Sequence, residues 1–199
     1  MALPAVRVWS YAAPAVVLGR AQRPDDAMLE RARRAGVEVV ERPTGGGAVL
    51  AGGWLLGASV AVPPDHPLVT PSIPASYQWL GRAHAEWLRQ AGVHALPVER
   101  PRDPGELRWA CFAGLSHGEL LAGGRKIVGL AQARRRAAVL FSAGTLLSPT
   151  PWELLCEVMG QPPASAHALA QTTVSVEELA GQPGEDLAAR LHAALSAAF

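Results

Sequence analysis

Gly123-Gly124-Arg125-Lys126-Ile127-Val128-Gly129 predicts a β-hairpin in the middle of this chain. Apolar residues flank the glycine pair, and a two-residue type I′ turn needs positive φ at both of its central positions. Regular alternation along the second strand predicts that Lys126 and Val128 share one face and that Arg125 and Ile127 share the other. Lys126 is also the single lysine among eighteen basic residues. A compact ammonium that arginine cannot imitate is therefore predicted to have a specific role here.

A second glycine-rich segment lies upstream, in Arg42-Pro43-Thr44-Gly45-Gly46-Gly47-Ala48-Val49. It directly follows an apolar stretch, Val37–Val40, that is typical of a strand. Three successive glycines remove every Cβ, so the backbone can approach an anion or an acyl chain closely. The segment is neither a Walker loop nor a dinucleotide-binding fingerprint. It predicts a substrate-binding loop at the end of a strand.

Composition narrows the class of protein. A chain of 199 residues is the usual size of one domain, and a formal net charge of +1 gives no electrostatic reason to expect a nucleic-acid or membrane partner. The apolar runs are too short or too interrupted to span a bilayer, and the N-terminus does not resemble a signal peptide. We therefore expect a cytoplasmic protein. The two cysteines, Cys111 and Cys156, form no disulfide framework and are predicted to be free thiols.

The remaining pattern alternates strands and helices. Strands are predicted over Val6–Trp9 and Ala15–Leu18, and a helix is predicted to begin at Asp25-Asp26 and to end at Gly36 before the strand at Val37. Further predicted elements are a strand over Trp54–Val62, a helix over Ser76–Gln90, a strand over Ala137–Leu147, a helix over Pro151–Met159, a capping box at Ser175-Val176-Glu177-Glu178 and an amphipathic run over Glu185–Ala197.

Three segments in this order resemble the signatures of the lipoate-protein ligase and octanoyltransferase family. They are Arg42 to Val49, Gly124-Arg125-Lys126-Ile127-Val128-Gly129-Leu130-Ala131-Gln132 and Gly144-Thr145-Leu146-Leu147, with Gly19-Arg20-Ala21-Gln22 matching an earlier strand end. The resemblance implies an α/β (α+β) fold with a mixed β-sheet flanked by helices, shared with biotin ligases and related to class II synthetases. It implies one catalytic domain over residues 1–199 without an accessory C-terminal domain.

The ligase branch of the family is expected first, because of the Gly-Gly-Gly-Ala-Val loop, and it implies one set of roles. Lipoate or octanoate would be condensed with ATP, accompanied by Mg²⁺, and passed to a lysine of a lipoyl-domain protein. Lys126 would hold the acyl carboxylate and then the acyl phosphate. No metal ligands are expected, because the phosphates would hold most of the magnesium. The residues implied to bind substrate or adenylate are Arg42, Thr44, Gly45, Gly46, Gly47, Ala48, Gly129, Ala131, Gln132, Gly144 and Thr145.

The octanoyltransferase branch implies a different catalyst, Cys111. It precedes Phe112 and lies fifteen residues before Lys126, a position where similar transferases carry an acyl-thioester cysteine. Such a cysteine would take octanoate from an acyl carrier protein without ATP. Lys126 or His117 could lower the pKa of its thiol. A buried structural cysteine is the alternative for Cys111, and Cys156 is expected to lie in the core.

Two departures from the family keep a third class open, a non-catalytic acyl- or adenylate-binding protein. Ala51-Gly52 stands where members commonly carry His-Asp, and Ala143 stands where a histidine often precedes Gly-Thr-Leu. An accessory ligase subunit could then be needed for adenylation. Arg134-Arg135-Arg136 is expected to be a solvated charged segment, with an acidic partner as the alternative. The six tryptophans are expected in the core, although Trp109 could wall an acyl tunnel.

Overall fold

The computed structural model describes residues 4–181 and 186–198, and its strands form two sheets. The larger sheet has the order β1-β5-β9-β8-β7-β6 and the smaller one has the order β3-β2-β4. The strands are β1 Ala5–Trp9, β2 Ala15–Leu18, β3 Glu38–Glu41, β4 Val49–Ala51, β5 Leu55–Val62, β6 Leu96–Pro97, β7 Leu120–Ala122, β8 Arg125–Arg134 and β9 Val139–Leu146.

Helices cover the sheets on both sides, which confirms the predicted α/β class. The small sheet is mixed, since β2 pairs with β3 in parallel and with β4 antiparallel, whereas the strand pairs of the large sheet are antiparallel. The helices are α1 Asp26–Arg34, α2 Ile73–Gln90, α3 Trp152–Met159, α4 Pro163–Thr172, α5 Val176–Ala180 and α6 Leu187–Ser196. The capping box predicted at Ser175 opens α5. Most of the amphipathic run predicted near the C-terminus is α6, while Glu185 lies outside the described residues. Among the helices in the described part of the chain, none has the length and apolarity needed to cross a membrane.

The predicted strand-helix-strand unit is β2-α1-β3. The Asp25 side chain accepts a hydrogen bond from Met28 N at 2.7 Å and so caps the first turn of α1. The helix stops before Gly36, which has φ +66°. The chain then returns as β3, which pairs with β2 in parallel. This connection places the glycine-rich loop, which follows β3, at the C-terminal end of β2, where Arg20 N donates to Thr44 O.

The core has two parts, one on each face of the large sheet. Alternate residues of β5, namely Leu56, Ala58, Val60 and Val62, pack with α2 and α6. Leu55 packs on the opposite side, with the small sheet, α1 and α3. Cys156 on α3 is buried in this second core, as expected. The space between the two sheets is where the site lies.

The hairpin at Gly123-Gly124 forms as predicted, and both glycines have positive φ. The prediction that Lys126 and Val128 share one face of the second strand is wrong. The register between β7 and β8 shifts, so that Leu121 opposes Lys126 while Leu120 opposes Val128. The extra residue, Ile127, is a β-bulge, which interrupts the alternation. Ile127 and Val128 therefore both enter the core below α2. Lys126 instead reaches over Gly129, on the side of the small sheet.

Candidate active site

The segment that carries Cys111 lies directly against the glycine-rich loop. Ala48 N donates to Trp109 O at 2.6 Å, and Cys111 N donates to Ala48 O at 2.9 Å. Ala48 and Ala110 thereby form a parallel β-bridge. This bridge fixes the backbone of Cys111 beside a loop that is far away in sequence.

The glycines of the loop are required by this close approach. A Cβ placed on Gly47 would lie 2.5 Å from Trp109 O, closer than real Cβ contacts. Gly46 has φ +97°, and a Cβ there would lie 3.6 Å from the Cys111 Sγ atom. The loop backbone thus forms one wall next to the thiol.

Gln22 ties the end of β2 to the same place. Its Oε1 atom accepts from Gly19 N at 3.0 Å, and its Nε2 atom donates to Trp109 O at 3.0 Å. Gly19 itself lies against Gly46 O, where a Cβ would clash. The Gly-x-x-Gln segment found in the sequence therefore supports both the loop and the Cys111 segment.

Arg42 shapes the loop from within. Its guanidinium donates to Val17 O at 2.9 Å, to Gly45 O at 2.9 Å and to Gly47 O at 2.7 Å. A planar fork with several donors suits this arrangement of three backbone carbonyls. The observed contacts of Arg42 are therefore structural contacts that tie the loop to β2.

Lys126 is 1% exposed, and each of its three ammonium protons has an acceptor. Its Nζ atom lies 3.0 Å from Cys111 O, 2.9 Å from Gly114 O and 2.8 Å from Glu119 Oε2. The ammonium also lies 5.3 Å from the centre of the Phe112 ring. Lys126 therefore holds the loop on which Cys111 lies.

Glu119 is the buried partner of Lys126, and its carboxylate has further donors. Oε2 accepts from Ser116 N at 2.7 Å, and Oε1 accepts from Leu130 N at 3.2 Å. A buried ion pair is tolerated when such additional hydrogen bonds satisfy both charges. The Lys126–Glu119 pair thus joins β8 to the loop that follows Cys111.

An apolar chamber of about 280 Å³ lies between the two sheets. Its walls include Trp9, Val17, Leu55, Leu130 and Leu140. An apolar cavity of about 150 Å³ holds a benzene molecule, so the chamber has room for roughly ten carbon atoms. Its size and lining suit a medium-length acyl chain.

A polar cavity of about 610 Å³ adjoins the chamber, and it is lined by the glycines Gly45 to Gly47 and by Arg102, Arg108, Lys126 and Gln132. Tyr77 also faces it; burial raises the pKa of its phenol to about 12, and the Glu119 carboxylate adds to this effect. The phenol is therefore neutral at physiological pH.

Cys111 lines both cavities and is partly exposed. Its thiol is placed where an acyl chain could enter the apolar chamber while the group attached to it stays in the polar cavity. This position at the junction is the main feature of the site.

The other predicted site residues divide between the two cavities and the core. Arg42, Thr44, Gly129 and Gly144 line the chamber, Gly45, Gly46, Gly47 and Gln132 line the polar cavity, and Ala131 lines both. Ala48 and Thr145 are buried and line neither cavity. The structure therefore brings together nine of these eleven residues.

Several expectations about neighbouring residues are corrected. His117 lines a different cavity, beside Gly118 and Val98, because the chain turns away after Ser116. Trp109 lines neither of the two central cavities. Arg134 donates to Thr70 O and Ser76 Oγ, so it is anchored rather than only solvated.

Within residues 4–181 and 186–198, no cluster of three or more His, Cys, Asp and Glu side chains could hold a metal ion.

Sequence reasoning missed Glu119 and the role of Trp9. No local sequence pattern links Glu119 to Lys126. Trp9 was expected in the core, but it is 37% exposed and lines the chamber. The signal for Trp9 was its position on an edge strand, where one face can border a cavity.

The sequence matches the family profile of the lipoyl protein ligase A/B catalytic domain over residues 2–187. The octanoyltransferase LipM of Moorella thermoacetica is 36% identical over 151 residues, which cover 73% of this chain and 54% of that protein. The octanoyltransferase LipM of Kyrpidia tusciae is 31% identical over 208 residues, covering 98% and 74%. The chain thus spans from about half to three quarters of the length of these relatives.

Solved structures with a similar fold include a lipoate-protein ligase A bound with ATP, with a TM-score of 0.75 at 23% identity, covering 98% of this chain and 72% of that one. A biotin protein ligase from Aquifex aeolicus in complex with biotin and ATP has a TM-score of 0.52 at 12% identity, covering 92% and 68%. These likenesses confirm the predicted fold.

Proposed function

The chain belongs to the lipoyl protein ligase A/B catalytic domain family, and we propose that it is an octanoyltransferase that acts through a thioester on Cys111. The proposal reverses the order expected from the sequence, which placed the ATP-dependent ligase first. It is supported by relatives named octanoyltransferase at 31% and 36% identity. The observation that carries it is the position of the Cys111 thiol between the apolar chamber and the polar cavity.

The reaction would proceed in two transfers. In the first, Cys111 Sγ attacks the carbonyl carbon of an octanoyl thioester on an acyl carrier protein. The carrier sulfur leaves with the proton of the Cys111 thiol, and octanoate is left as a thioester on Cys111. In the second, the amine of a lysine on a lipoyl-domain protein attacks the new thioester. An amide forms, and the departing Cys111 sulfur receives a proton from the amine.

Both transfers need the acyl chain to be held while the partner changes. The apolar chamber would hold the acyl chain, so neither the carrier protein nor the lipoyl domain has to bind it. The polar cavity would receive first the carrier thiol and then the acceptor lysine. A thiol at the junction can react with groups on the polar side without moving the chain.

Lys126 would act as a positioning residue in this mechanism. Its hydrogen bond to Cys111 O fixes the backbone that carries the thiol. In a ligase mechanism, Lys126 would instead bind the acyl carboxylate. To do so, it would have to give up its contact with Glu119, Cys111 or Gly114. The filled hydrogen-bonding capacity of Lys126 therefore favours the transferase.

The ligase remains the second candidate, because one feature favours it. The glycine-rich backbone of Gly45 to Gly47, together with Arg102 and Arg108, lines a polar cavity of about 610 Å³ beside the acyl chamber. Backbone N–H groups and arginines are suitable partners for the phosphates of a nucleotide. ATP would be a substrate there, with magnesium held through its phosphates.

Intact-mass analysis separates the two reactions. One sample contains the protein, octanoyl-acyl carrier protein and an apo lipoyl domain, and a second contains octanoate, ATP and Mg²⁺ in place of the carrier. We expect octanoylation of the lipoyl domain in the carrier sample and an octanoyl adduct on the enzyme. Cys111→Ser should abolish both products, and Cys156→Ala, which changes a buried core thiol, should abolish neither.

Two results would contradict the proposal. Acylation only in the ATP sample, unaffected by Cys111→Ser, would identify a ligase. Silence of both samples, with a correctly folded protein, would favour the non-catalytic binding class.

A further inference from the structure

Three glycines lie side by side across the centre of the large sheet. Gly57 on β5 pairs with Gly144 on β9, and Gly144 pairs with Gly129 on β8. All three are on the face that borders the apolar chamber. Glycine weakens a strand interior and often marks a place where another group approaches the backbone closely. Gly129 and Gly144 therefore form a shallow trough in the floor of the chamber, and Gly57 lets the Trp9 indole lie against the sheet at the end of it.

The two ends of this trough are closed by side chains. At the β8 end, a Cβ on Gly129 would lie 3.5 Å from both Phe112 Cζ and Lys126 Cε. At the β1 end, Trp9 pairs with Gly57. A Cβ on Gly57 would lie 2.4 Å from Trp9 Cε2, so the indole ring lies across that glycine. Trp9 thus blocks the end of the trough that is farthest from Lys126.

The size of the chamber suits a particular acyl chain. The Trp9 indole covers Gly57, so the open floor runs from Gly129 on β8 to Gly144 on β9 and ends at the indole. The chamber holds roughly ten carbon atoms by volume, enough for a chain of eight carbons. A longer chain would meet the indole of Trp9.

We propose that Trp9 and the glycine row form a ruler that selects medium-length acyl groups by their length. The inference rests on the proposed function, because it assumes that the chamber holds the acyl chain during transfer. Trp9 is a specificity-determining residue in this view, and it takes no part in the bond changes at Cys111. Its partial exposure means that truncating it opens the chamber toward solvent rather than emptying a closed core.

The test compares octanoyl- and dodecanoyl-acyl carrier protein as donors and measures the rate of thioester formation on the enzyme. We expect Trp9→Ala to raise the ratio of dodecanoyl to octanoyl rates at least tenfold. Trp54→Ala is the matched control, because Trp54 is packed near Gly52 and lines neither central cavity. It should leave the ratio unchanged.

A second variant should shift selectivity the other way. Gly144→Ala places a methyl group on the floor, 3.3 Å from Leu55 Cδ1. We expect it to raise the ratio of hexanoyl to octanoyl rates. Opposite shifts from the two variants cannot come from a general loss of folding. If Trp9→Ala does not fold, Trp9→Leu replaces it with the same expected direction.

The failure of the ruler can be told apart from the failure of the proposed function. If the unaltered protein forms the octanoyl thioester but neither variant changes its ratio, the ruler is overturned and the transferase stands. If no donor gives a thioester, the transferase is overturned, and calorimetric binding of free octanoate and dodecanoate then tests the ruler. Improved dodecanoate binding by Trp9→Ala would support the ruler, and unchanged relative affinity would overturn it.

Discussion

Lys126 Nζ lies 2.8 Å from Glu119 Oε2, and the two side chains are 1% and 3% exposed. The same ammonium donates to Cys111 O, so this ion pair connects a central strand with the loop that carries the thiol. A buried charge that loses its partner is strongly destabilising, whereas replacing both charges by apolar groups can be nearly neutral. The pair therefore couples the stability of the fold to the geometry of the site.

We expect Glu119→Leu to lower the free energy of unfolding by about 3–5 kcal/mol, because it leaves the Lys126 ammonium buried without its carboxylate. The double variant Lys126→Met with Glu119→Leu should recover part of this loss, since no charge is then left unpaired. Urea denaturation measures both. Glu86→Gln is the control, because Glu86 pairs with Arg89 at the surface, where such pairs contribute little to stability. A loss below about 1 kcal/mol for Glu119→Leu would contradict the prediction.

The two cysteines should differ in reactivity toward iodoacetamide. Cys111 is partly exposed between the two cavities, while Cys156 is 2% exposed and burial raises the pKa of its thiol. The thiolate is the reactive form, so we expect Cys111 to be alkylated at least tenfold faster under native conditions. Peptide mass spectrometry after timed quenching gives the two rates. Equal rates in the folded protein would show that the thiol of Cys111 is not accessible.

Gly47→Ala should disturb the site through the backbone. The new Cβ would meet Trp109 O at 2.5 Å, and neither backbone segment can move without disturbing the Ala48–Ala110 bridge. We expect a stability loss of about 1–3 kcal/mol, in the range of overpacking, and slower alkylation or acylation of Cys111. Gly53→Ala is the control, since its Cβ would meet nothing within 4 Å. An unchanged Gly47→Ala protein would contradict the observed closeness of the loop and the Cys111 segment.

His84 should make stability depend on pH. Burial lowers its pKa to about 4, and its Nδ1 atom faces Leu80 O at 2.8 Å. The unfolded chain binds a proton at this residue near pH 6.5, so between pH 6.5 and 4 it holds more protons than the folded protein. The contribution of His84 to the free energy of unfolding is therefore fully present above pH 6.5. As the pH decreases to 4, this contribution falls by about 3 kcal/mol.

Denaturation at pH 7 and pH 4.5 tests this dependence. In His84→Leu, the difference in unfolding free energy between the two pH values should be smaller by about 2 kcal/mol. Substitution of the exposed His94 by Gln serves as the control for general effects of losing a histidine. The same pH dependence in His84→Leu and in the unaltered protein would contradict the assignment.

Sequence signals that depend on a few adjacent residues predicted the ends of helices and the turns correctly. The Asp25 cap, the Gly36 stop and the Gly123-Gly124 turn all form as predicted, because each depends on the conformation of a few adjacent residues. The predicted orientation of the Lys126 side chain was wrong, because the bulge at Ile127 arises from the register between two strands. No alternation rule applied to one strand can reveal such a shift.

The site was only partly predictable for a similar reason. The resemblance to a family identified the glycine-rich loop, Lys126 and Cys111, although they lie far apart in sequence. It did not indicate Glu119 or the indole of Trp9, whose roles depend on contacts made across strands. Ala48 was expected to touch substrate and instead anchors Cys111 through its backbone, a function that any residue small enough for the position could serve.

The glycine row also affects how this protein could be engineered. A glycine in a strand costs about 0.5–1 kcal/mol relative to alanine, so Gly129 leaves the middle of the sheet below its attainable stability. A Cβ on Gly129 would meet its nearest neighbours at 3.5 Å, whereas a Cβ on Gly57 would meet the Trp9 indole at 2.4 Å. A selection for thermostability alone would favour alanine at Gly129, and the stabilised proteins would have a smaller chamber.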